Sequence, residues 1–322
     1  MMYLTVDGGG SKTIAVLYDE QLNVHRIARS GGVNYTQNSP ESASEHIREC
    51  LDALAPYDYE IEKAYLIFSA RHDLFRQELT SRVKVGSFEI IPEPVAGLLA
   101  GGCTSSGLLA LAGTGSDVFL IKERKVLCAV GGWGPFMGDQ GSGAWIGLQA
   151  LRSLGRDVNG WGPKTALTPL LNEHLVRLTG AKRALEAVLA SKTPYSLAAG
   201  LVPLVAKAAK EGDRVAQEIF EKAGECMGKQ LVALIKKAPE HEERGITLCG
   251  GAWKASQRMF DACQNYLDRF ANGYVLRRPC FEPVAAGAVL MLAQAGFSQK
   301  ELKHILAERF GELIINEAEV FA

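Results

Sequence analysis

Two short apolar runs flank the first glycines of the chain. YLTVDG (residues 3–8) and TIAVLYD (residues 13–19) are apolar or alternate with period two, and both are rich in β-branched and aromatic residues. Runs of this kind are typical of strands. The sequence therefore predicts a hairpin whose turn contains Gly8, Gly9 and Gly10.

After this hairpin, segments with the hydrophobic pattern of a helix alternate with segments that have the pattern of a strand. SPESASEHIRECLDAL begins with Ser39 as an N-cap, has Pro40 in its first turn and repeats apolar residues at helical spacing. Four more segments follow in the order strand, helix, strand, helix: residues 63–70, 73–83, 87–91 and 94–102. This alternation predicts a layered α/β domain.

A second glycine turn repeats the design of the first. In LLALAGTGSDVFLIKE (residues 108–123), two strand-like runs again enclose closely spaced glycines. The two segments align at three positions, which pair Gly8 with Gly113, Gly10 with Gly115, and Ser11 with Ser116. Because the flanking strands are repeated as well, the sequence predicts an internal duplication.

The second half contains a long glycine-rich loop and a third strand that runs into glycines. The loop covers residues 131–143 and leads into a helical pattern, and a further helical stretch covers about 197–237. ITLCGGAW (residues 246–253) is a strand followed by two glycines. Residues 299–314 have the pattern of an amphipathic helix that returns to the first domain.

Composition and charge exclude several classes of protein. With 47% hydrophobic and 22% charged residues and a net charge of -1, the chain has the composition of a soluble globular protein without a basic field for nucleic acid. The longest apolar run, residues 284–293, is shorter than a bilayer span of about 20 residues. We expect a cytoplasmic protein with no membrane partner, since the first residues enter a strand pattern directly. Seven scattered cysteines predict no disulfide framework, and six histidines show no zinc spacing.

The first glycine turn differs from the phosphate loop of the commonest nucleotide-binding enzymes. That loop places Gly before its Lys and opens a helix, whereas here Ser11 precedes Lys12 and a strand follows. Closely spaced glycines still allow backbone N–H groups to turn toward an anion. A phosphate site built on hairpins is therefore the hypothesis that the glycines favour.

Six motifs, in this order, resemble the BadF/BadG/BcrA/BcrD ATPase family of the sugar kinase, actin and heat-shock chaperone superfamily, and within it the N-acetylglucosamine and glucosamine kinases. They are DGGGSKT (7–13), LAGTGS (111–116), GGWG with GDQGSGAWIG (131–147), NGWGPKTAL (159–167), KAAKEGDRVAQEIF (207–220) and CGGAW (249–253). The resemblance implies two ribonuclease-H-like α/β domains with an ATP cleft that closes on substrate, and a homodimer. We expect the domains at residues 1–107 and 108–297, with a helix in 298–322 that packs back on the first.

The resemblance also implies the ATP-binding residues. The first hairpin would hold the β- and γ-phosphates, the second would close over them, and the CGGAW turn would lie beside adenine and ribose. The implied residues are Gly8, Gly9, Gly10, Ser11, Lys12 and Thr13, then Gly113, Thr114, Gly115 and Ser116, and finally Gly250, Gly251 and Ala252.

Two carboxylates are the candidates for the chemistry of phosphoryl transfer, which needs positioning and charge neutralisation. Asp7 ends the first strand at the glycines and would hold Mg²⁺ through water; the alternative is that its side chain caps the turn. Glu93 stands where the kinases have an aspartate general base. This is a departure, because Glu93 is one methylene longer and Pro94 restricts its backbone. Either the pocket is reshaped around Glu93, or the acceptor differs, or the protein hydrolyses or only binds ATP; Glu93 could also be a solvated acid.

The resemblance places four residues at the sugar: Asn34, Asp117, Gly132 and Asp139. Asp139 could bond a sugar hydroxyl or the water shell of the metal, and its alternative role is a helix N-cap. Asp117 stands where the kinases often have asparagine, which favours a cationic amino sugar such as glucosamine over an N-acetyl sugar.

Three functions remain open on the sequence. The first is a Mg-ATP-dependent kinase that phosphorylates a hydroxyl of an amino sugar. The second is an ATPase that activates a partner enzyme through an iron–sulfur cluster, for which Cys103 and Cys128 are the best candidates although they lack the helix-start setting. The third is a sugar- or nucleotide-binding protein that has lost catalysis.

Overall fold

The computed structural model describes residues 1–10, 12–34, 38–55, 59–68, 72–238 and 240–320. The described chain divides into two compact units, each made of more than one segment. Unit 1 comprises Met1–Leu109, Ile121–Val126 and Arg277–Ala322, and unit 2 comprises Ala110–Leu120 and Leu127–Leu276.

Unit 1 contains a mixed five-stranded sheet. Its strands are β1 (Met2–Gly8), β2 (Lys12–Asp19), β3 (Val24–Gly31), β4 (Ile61–Phe68) and β5 (Val85–Ile90), in the order β3-β2-β1-β4-β5. The first three pair antiparallel, whereas β1, β4 and β5 run parallel to one another. In the predicted hairpin Gly8 is opposite Thr13, and Asp7 is opposite Ile14. The carboxyl ends of three parallel strands therefore meet at the edge of the sheet that carries the glycine turn.

Helices follow the strands of unit 1. They are α1 (Pro40–Leu54), α2 (His72–Thr80), α3 (Glu93–Gly102), α13 (Ala286–Gln294), α14 (Gln299–Arg309) and α15 (Glu317–Val320), with 3₁₀ turns at Pro283–Ala285 and Gly311–Leu313. The predicted N-cap is present, since Ser39 Oγ accepts the Ser42 N–H at 3.2 Å. The apolar face of α1 packs on β2 and β3, and Ile47 and Leu51 are fully buried there.

A second five-stranded sheet repeats the topology of the first. Its strands are β6 (Gly107–Ala112), β7 (Ser116–Lys122), β8 (Lys125–Gly131), β9 (Gly245–Cys249) and β10 (Val275–Arg277), in the order β10-β9-β6-β7-β8. From the other edge this order is the same as in unit 1, with β6 in the place of β1 and β9 in the place of β4. The internal duplication expected from the two glycine turns is therefore present in the strand order.

Helices form most of unit 2. They are α4 (Gly134–Met137), α5 (Gly143–Val158), α6 (Leu167–Thr179), α7 (Ala184–Ala190), α8 (Pro194–Gly200), α9 (Val202–Lys210), α10 (Arg214–Lys237), α11 (Gly251–Ala255) and α12 (Gln257–Phe270). Glycines allow α10 and α12 to pack closely, because a Cβ on Gly224 would overlap Met259 O and one on Gly228 would lie 2.8 Å from Tyr266 Cβ.

The mixed α/β fold with two five-stranded sheets is the fold class that the sequence predicts. The pattern did not predict strands β3, β8 and β10, the helices α6, α7 and α12, or the short helices α4, α11 and α15. Helix α3 begins at Glu93, one residue before its predicted start. Among the described residues, no helix has both the length and the apolar character needed to cross a bilayer.

Candidate active site

The glycine turn of unit 1 is hydrogen-bonded to the segment that follows β3. The Gly9 N–H donates to Lys12 O at 3.0 Å, and Gly9 O accepts the N–H groups of Val33 (3.0 Å) and Asn34 (3.2 Å). The turn and Asn34, both named from the sequence, are thus brought together in the fold. A Cβ on Gly8 would overlap the ring of Phe68, so only glycine fits there.

Two other residues of the predicted phosphate turn have different surroundings. Thr13 is buried and its hydroxyl donates to Gly31 O at 2.9 Å, whereas Lys12 has an exposed side chain. Asn38 Nδ2 donates to Gly10 O at 2.8 Å, which also holds the turn in place. Ser11, the remaining residue predicted here, lies outside the described residues.

Asp7 and Glu93 meet at the carboxyl ends of the parallel strands. Asp7 is near the end of β1, and Glu93 opens α3 just after β5. Burial and, after it, the nearby Glu93 carboxylate raise the pKa of Asp7 to about 7. Desolvation also raises the pKa of Glu93, although part of its side chain remains open to solvent. Glu93 is also an exposed residue, so this environment is compatible with each of its open roles.

Lys12 and Glu282 complete the charges around Asp7. Lys12 lowers the pKa of Asp7 and Glu282 raises it, and Lys12 Nζ lies 3.4 Å from Glu282 Oε2. Sequence reasoning did not name Glu282. The signal was a repeated motif, since EPVA occurs at residues 93–96 and again at 282–285.

In unit 2 the β6–β7 turn is bonded to the start of helix α5. The Gly113 N–H donates to Gly115 O at 2.9 Å, while the N–H groups of Gly143 and Ala144 donate to Gly113 O (2.8 Å) and Thr114 O (3.2 Å). The carbonyls of the turn are therefore occupied.

Asp139 lies directly against this turn. A Cβ on Gly115 would lie 2.8 Å from Asp139 Oδ2, and the side chain is only 7% exposed. Burial raises the pKa of Asp139, although the backbone N–H groups of Ser116 and Gly134 bond to the carboxylate and lower it. Asp139 Oδ1 has no hydrogen-bond partner among the described residues. A buried acceptor without a donor is costly in the free protein and is suited to a donor from a ligand.

The alternative role of Asp139 as a helix N-cap is not the one that the structure shows. Ser142 caps α5, and its Oγ accepts the Trp145 N–H at 3.1 Å. Asp139 instead has a left-handed backbone with φ of 52°. Its side chain is free to face the β6–β7 turn because a different residue caps the helix.

Asp117 and Gly132 are in contact. Gly132 has φ of +70°, and a Cβ there would overlap the Asp117 carboxylate. A Cβ on the preceding Gly131 would lie 2.7 Å from Gln230 Oε1, an atom without a hydrogen-bond partner in the described structure. Gln230 was not predicted, and no motif marks it. Gln230 Oε1 is thus a buried acceptor beside Gly131 that suits a ligand which donates a hydrogen bond.

The turn after β9 meets the β6–β7 turn within unit 2. Gly250 has φ of +105°, and a Cβ on it would overlap Ala112 O and lie 2.7 Å from Gly113 N. Gly251 starts α11 with open space where a Cβ would lie, and Ala252 is buried at 3% exposure. The fold therefore brings two of the three predicted nucleotide turns together.

The two cysteines considered for a metal cluster are not at helix starts. Cys103 is the buried C-cap of α3 and Cys128 lies in β8. Within the parts of the chain that the structure describes, no three His, Cys, Asp or Glu residues are grouped so that they could hold a metal ion by themselves. Nothing at these positions favours an iron–sulfur activator.

The family model of the BadF/BadG/BcrA/BcrD ATPases matches residues 4–292. The chain belongs to this family. It is 26% identical over 315 residues to the N-acetyl-D-glucosamine kinase of Dictyostelium discoideum, covering 90% of this chain and 98% of that protein. It is 22% identical over 273 residues to the N-acetylmuramic acid/N-acetylglucosamine kinase of Clostridium acetobutylicum, covering 82% and 89%.

The fold is also that of a solved structure. The crystal structure of a candidate N-acetylglucosamine kinase from Porphyromonas gingivalis matches with a TM-score of 0.69 at 19% identity, covering 92% of this chain and all of that one. At this identity the likeness shows the fold alone. It agrees with the actin-like ATPase architecture that the strand order indicates.

Proposed function

We propose that this protein is an ATP-dependent kinase that phosphorylates a hydroxyl group of an amino sugar. The observation that carries the proposal is the pair of carboxylates, Asp7 and Glu93, beside the glycine turn of unit 1. Membership of an ATPase family supports the use of ATP, and the names of the two kinase relatives support a sugar acceptor.

Glu93 is the proposed general base. Its carboxylate would accept the proton of the sugar hydroxyl while that oxygen bonds to the γ-phosphorus and the bond to the β–γ bridging oxygen breaks, which releases ADP. Desolvation raises the pKa of Glu93, and this rise strengthens its carboxylate as a base.

Asp7 is the proposed holder of Mg²⁺. The residues present fit a water-mediated ion, since the side chains around Asp7 supply carboxylate oxygens, the ligand type that Mg²⁺ takes. Magnesium, when bound, neutralises charge on the β- and γ-phosphates. Asp7 must be ionised for this role, and a cation would favour its ionised form.

The remaining predicted residues are assigned by unit. The phosphates would contact two sets of residues. In unit 1 these are Gly8–Gly10 with Ser11, Lys12 and Thr13, and in unit 2 they are Gly113–Ser116. Gly250–Ala252 would lie beside the nucleoside, and the sugar contacts would come from Asn34 in unit 1 and from Asp117, Gly132 and Asp139 in unit 2. We extend the proposal to two domains divided after residue 107 and to a homodimer, which rest on the resemblance, and to a cytoplasmic location.

Sugar-stimulated release of ADP tests this function. Purified protein with Mg²⁺ and ATP is given glucosamine, N-acetylglucosamine or N-acetylmuramic acid, and ADP is measured against a control without sugar. We expect at least one amino sugar to raise the rate well above the basal rate. If none does, the kinase proposal is wrong, and a basal rate or nucleotide binding alone would favour the ATPase or the binding protein.

A further inference from the structure

Glu282 is more firmly placed than the lysine that it contacts. Its backbone N–H donates to Leu313 O at 2.9 Å, and it directly precedes the 3₁₀ turn Pro283–Ala285. The side chain of Glu282 is 20% exposed, whereas that of Lys12 is 56% exposed. The geometry is that of a mostly buried carboxylate bonded to a more exposed ammonium.

The segment around Glu282 is packed against the sheet beside Asp7. The turn Pro283–Ala285 contacts β1, β2 and α3. Gly287 passes so close to β1 that a Cβ there would overlap Thr5 Oγ1, and the Phe281 backbone bridges to Ile314. These contacts set the position of Glu282 independently of Lys12.

The repeated EPVA motif gives Glu282 and Glu93 similar settings. Each glutamate stands before a proline at the start of a helical turn, and the two turns pack against each other. Both carboxylates act on the pKa of Asp7, whereas Glu282 alone of the two is bonded to Lys12. The glutamates of the two EPVA motifs therefore have different contacts at the same site, since only Glu282 bonds to Lys12.

We propose that Glu282 is a positioning residue that holds the Lys12 ammonium at the glycine turn, ready for the phosphates of the nucleotide. This inference rests on the proposed function, in which Lys12 contacts phosphate. A long lysine side chain loses much rotational freedom when it is ordered, so a partner that orders it before binding increases affinity.

A double-mutant cycle in nucleotide affinity tests the inference. The affinity for a non-hydrolysable ATP analogue with Mg²⁺ is measured by calorimetry for wild type, Glu282→Gln, Lys12→Met and the double variant. We expect Glu282→Gln to weaken binding by about threefold or more in the wild-type chain and to cause no weakening once Lys12 is replaced. The control is Glu60→Gln, which removes the exposed Lys84–Glu60 pair (3.0 Å) of the same unit and should leave affinity unchanged.

The cycle separates positioning from the other roles of a carboxylate. Equal weakening in both backgrounds would mean that Glu282 acts without Lys12, and tighter binding in Glu282→Gln would mean that it competes with the phosphates; either result overturns the inference. Melting curves for the four proteins show whether a loss of nucleotide affinity results from a loss of folded protein. If nucleotide binds but no sugar stimulates ADP release, the proposed function fails while the cycle still decides on Glu282. A wild-type protein that binds no nucleotide overturns both.

Discussion

The Glu93 carboxylate lies close enough to Asp7 to contribute, after burial, to the rise of the Asp7 pKa to about 7. The two residues are far apart in sequence, but Asp7 lies near the end of β1 and Glu93 follows β5, and both strands run parallel to β4 on its two sides. Ligands of parallel α/β sheets bind outside the carboxyl ends of the strands. The carboxyl edge of this sheet thus carries the acids that the proposed reaction needs.

Replacing Glu93 tests the general base. We expect Glu93→Gln to lower the sugar-stimulated rate roughly a hundredfold or more, since general-base catalysis contributes at least that much. Affinity for ATP should stay within a few-fold, because the glycine turn is untouched. The matched control is Glu41→Gln, an acid in the first turn of α1 after Pro40. An unchanged stimulated rate in Glu93→Gln would remove the base assignment and leave the fold as it is.

Ionisation of Asp139 is expected to destabilise the folded protein as the pH rises. Its pKa is raised in the folded protein, so the folded state holds the proton more tightly than the unfolded state. The free energy of unfolding should therefore fall as the pH increases from about 4 through the folded value. Asp139→Asn should remove this fall while lowering sugar-dependent activity. Melting temperatures between pH 4 and pH 8 check it, and equal pH slopes for the two proteins would contradict it.

Neighbouring glycines after β9 should differ in their tolerance of a methyl group. Gly250→Ala forces a left-handed alanine against Ala112 O, and we expect the free energy of unfolding to fall by about 1–3 kcal/mol with weaker nucleotide binding. Gly251→Ala meets open space in a helix and should fold normally. Urea unfolding of both variants is the measurement, and similar losses in the two would contradict the close packing of Gly250.

Asp117 is expected to set the preference for the group on the sugar. A carboxylate favours a protonated amine and repels the carbonyl oxygen of an acetamide, whereas an asparagine amide can donate to that oxygen. Asp117→Asn should therefore shift the ratio of kcat/KM for N-acetylglucosamine over glucosamine upward by about tenfold. The contrary result would be an unchanged ratio with both rates lowered, as expected for a purely structural role beside Gly132.

Asp157 should protect the protein against acid. The Thr168 hydroxyl (2.6 Å) and the Lys164 ammonium (3.0 Å) bond to its carboxylate and lower its pKa. The stabilisation is present above the unfolded pKa of about 3.9 and is lost as the pH falls through the lower folded value. Asp157→Asn should thus be less stable than wild type at pH 7, with a smaller difference at acid pH. Asp261→Asn, on the exposed face of α12, is the control variant.

The edge strands β3 and β8 could not be predicted from the hydrophobic pattern of the sequence. Strand β3 has one buried residue, Ala28, and β8 has none, so neither shows the alternation of buried and exposed positions that marks a half-buried strand. The central strands β1 and β2 were predicted because their side chains are buried on both faces. Pairing with β2 identifies β3 as a strand, and pairing with β7 identifies β8.

The sequence alone determined the features that depend on near neighbours: the two glycine hairpins, the Ser39 cap, and the placing of Asp7 and Glu93 after strands. Backbone preferences and the period of apolar residues act over a few positions, so they can be seen in the chain itself. The tertiary structure decided that Glu282 bonds to Lys12, and that Asp139 faces Gly115 while Ser142 caps the helix. Those relationships depend on parallel pairing and on packing of distant segments, which bring together residues whose spacing in the sequence carries no such information.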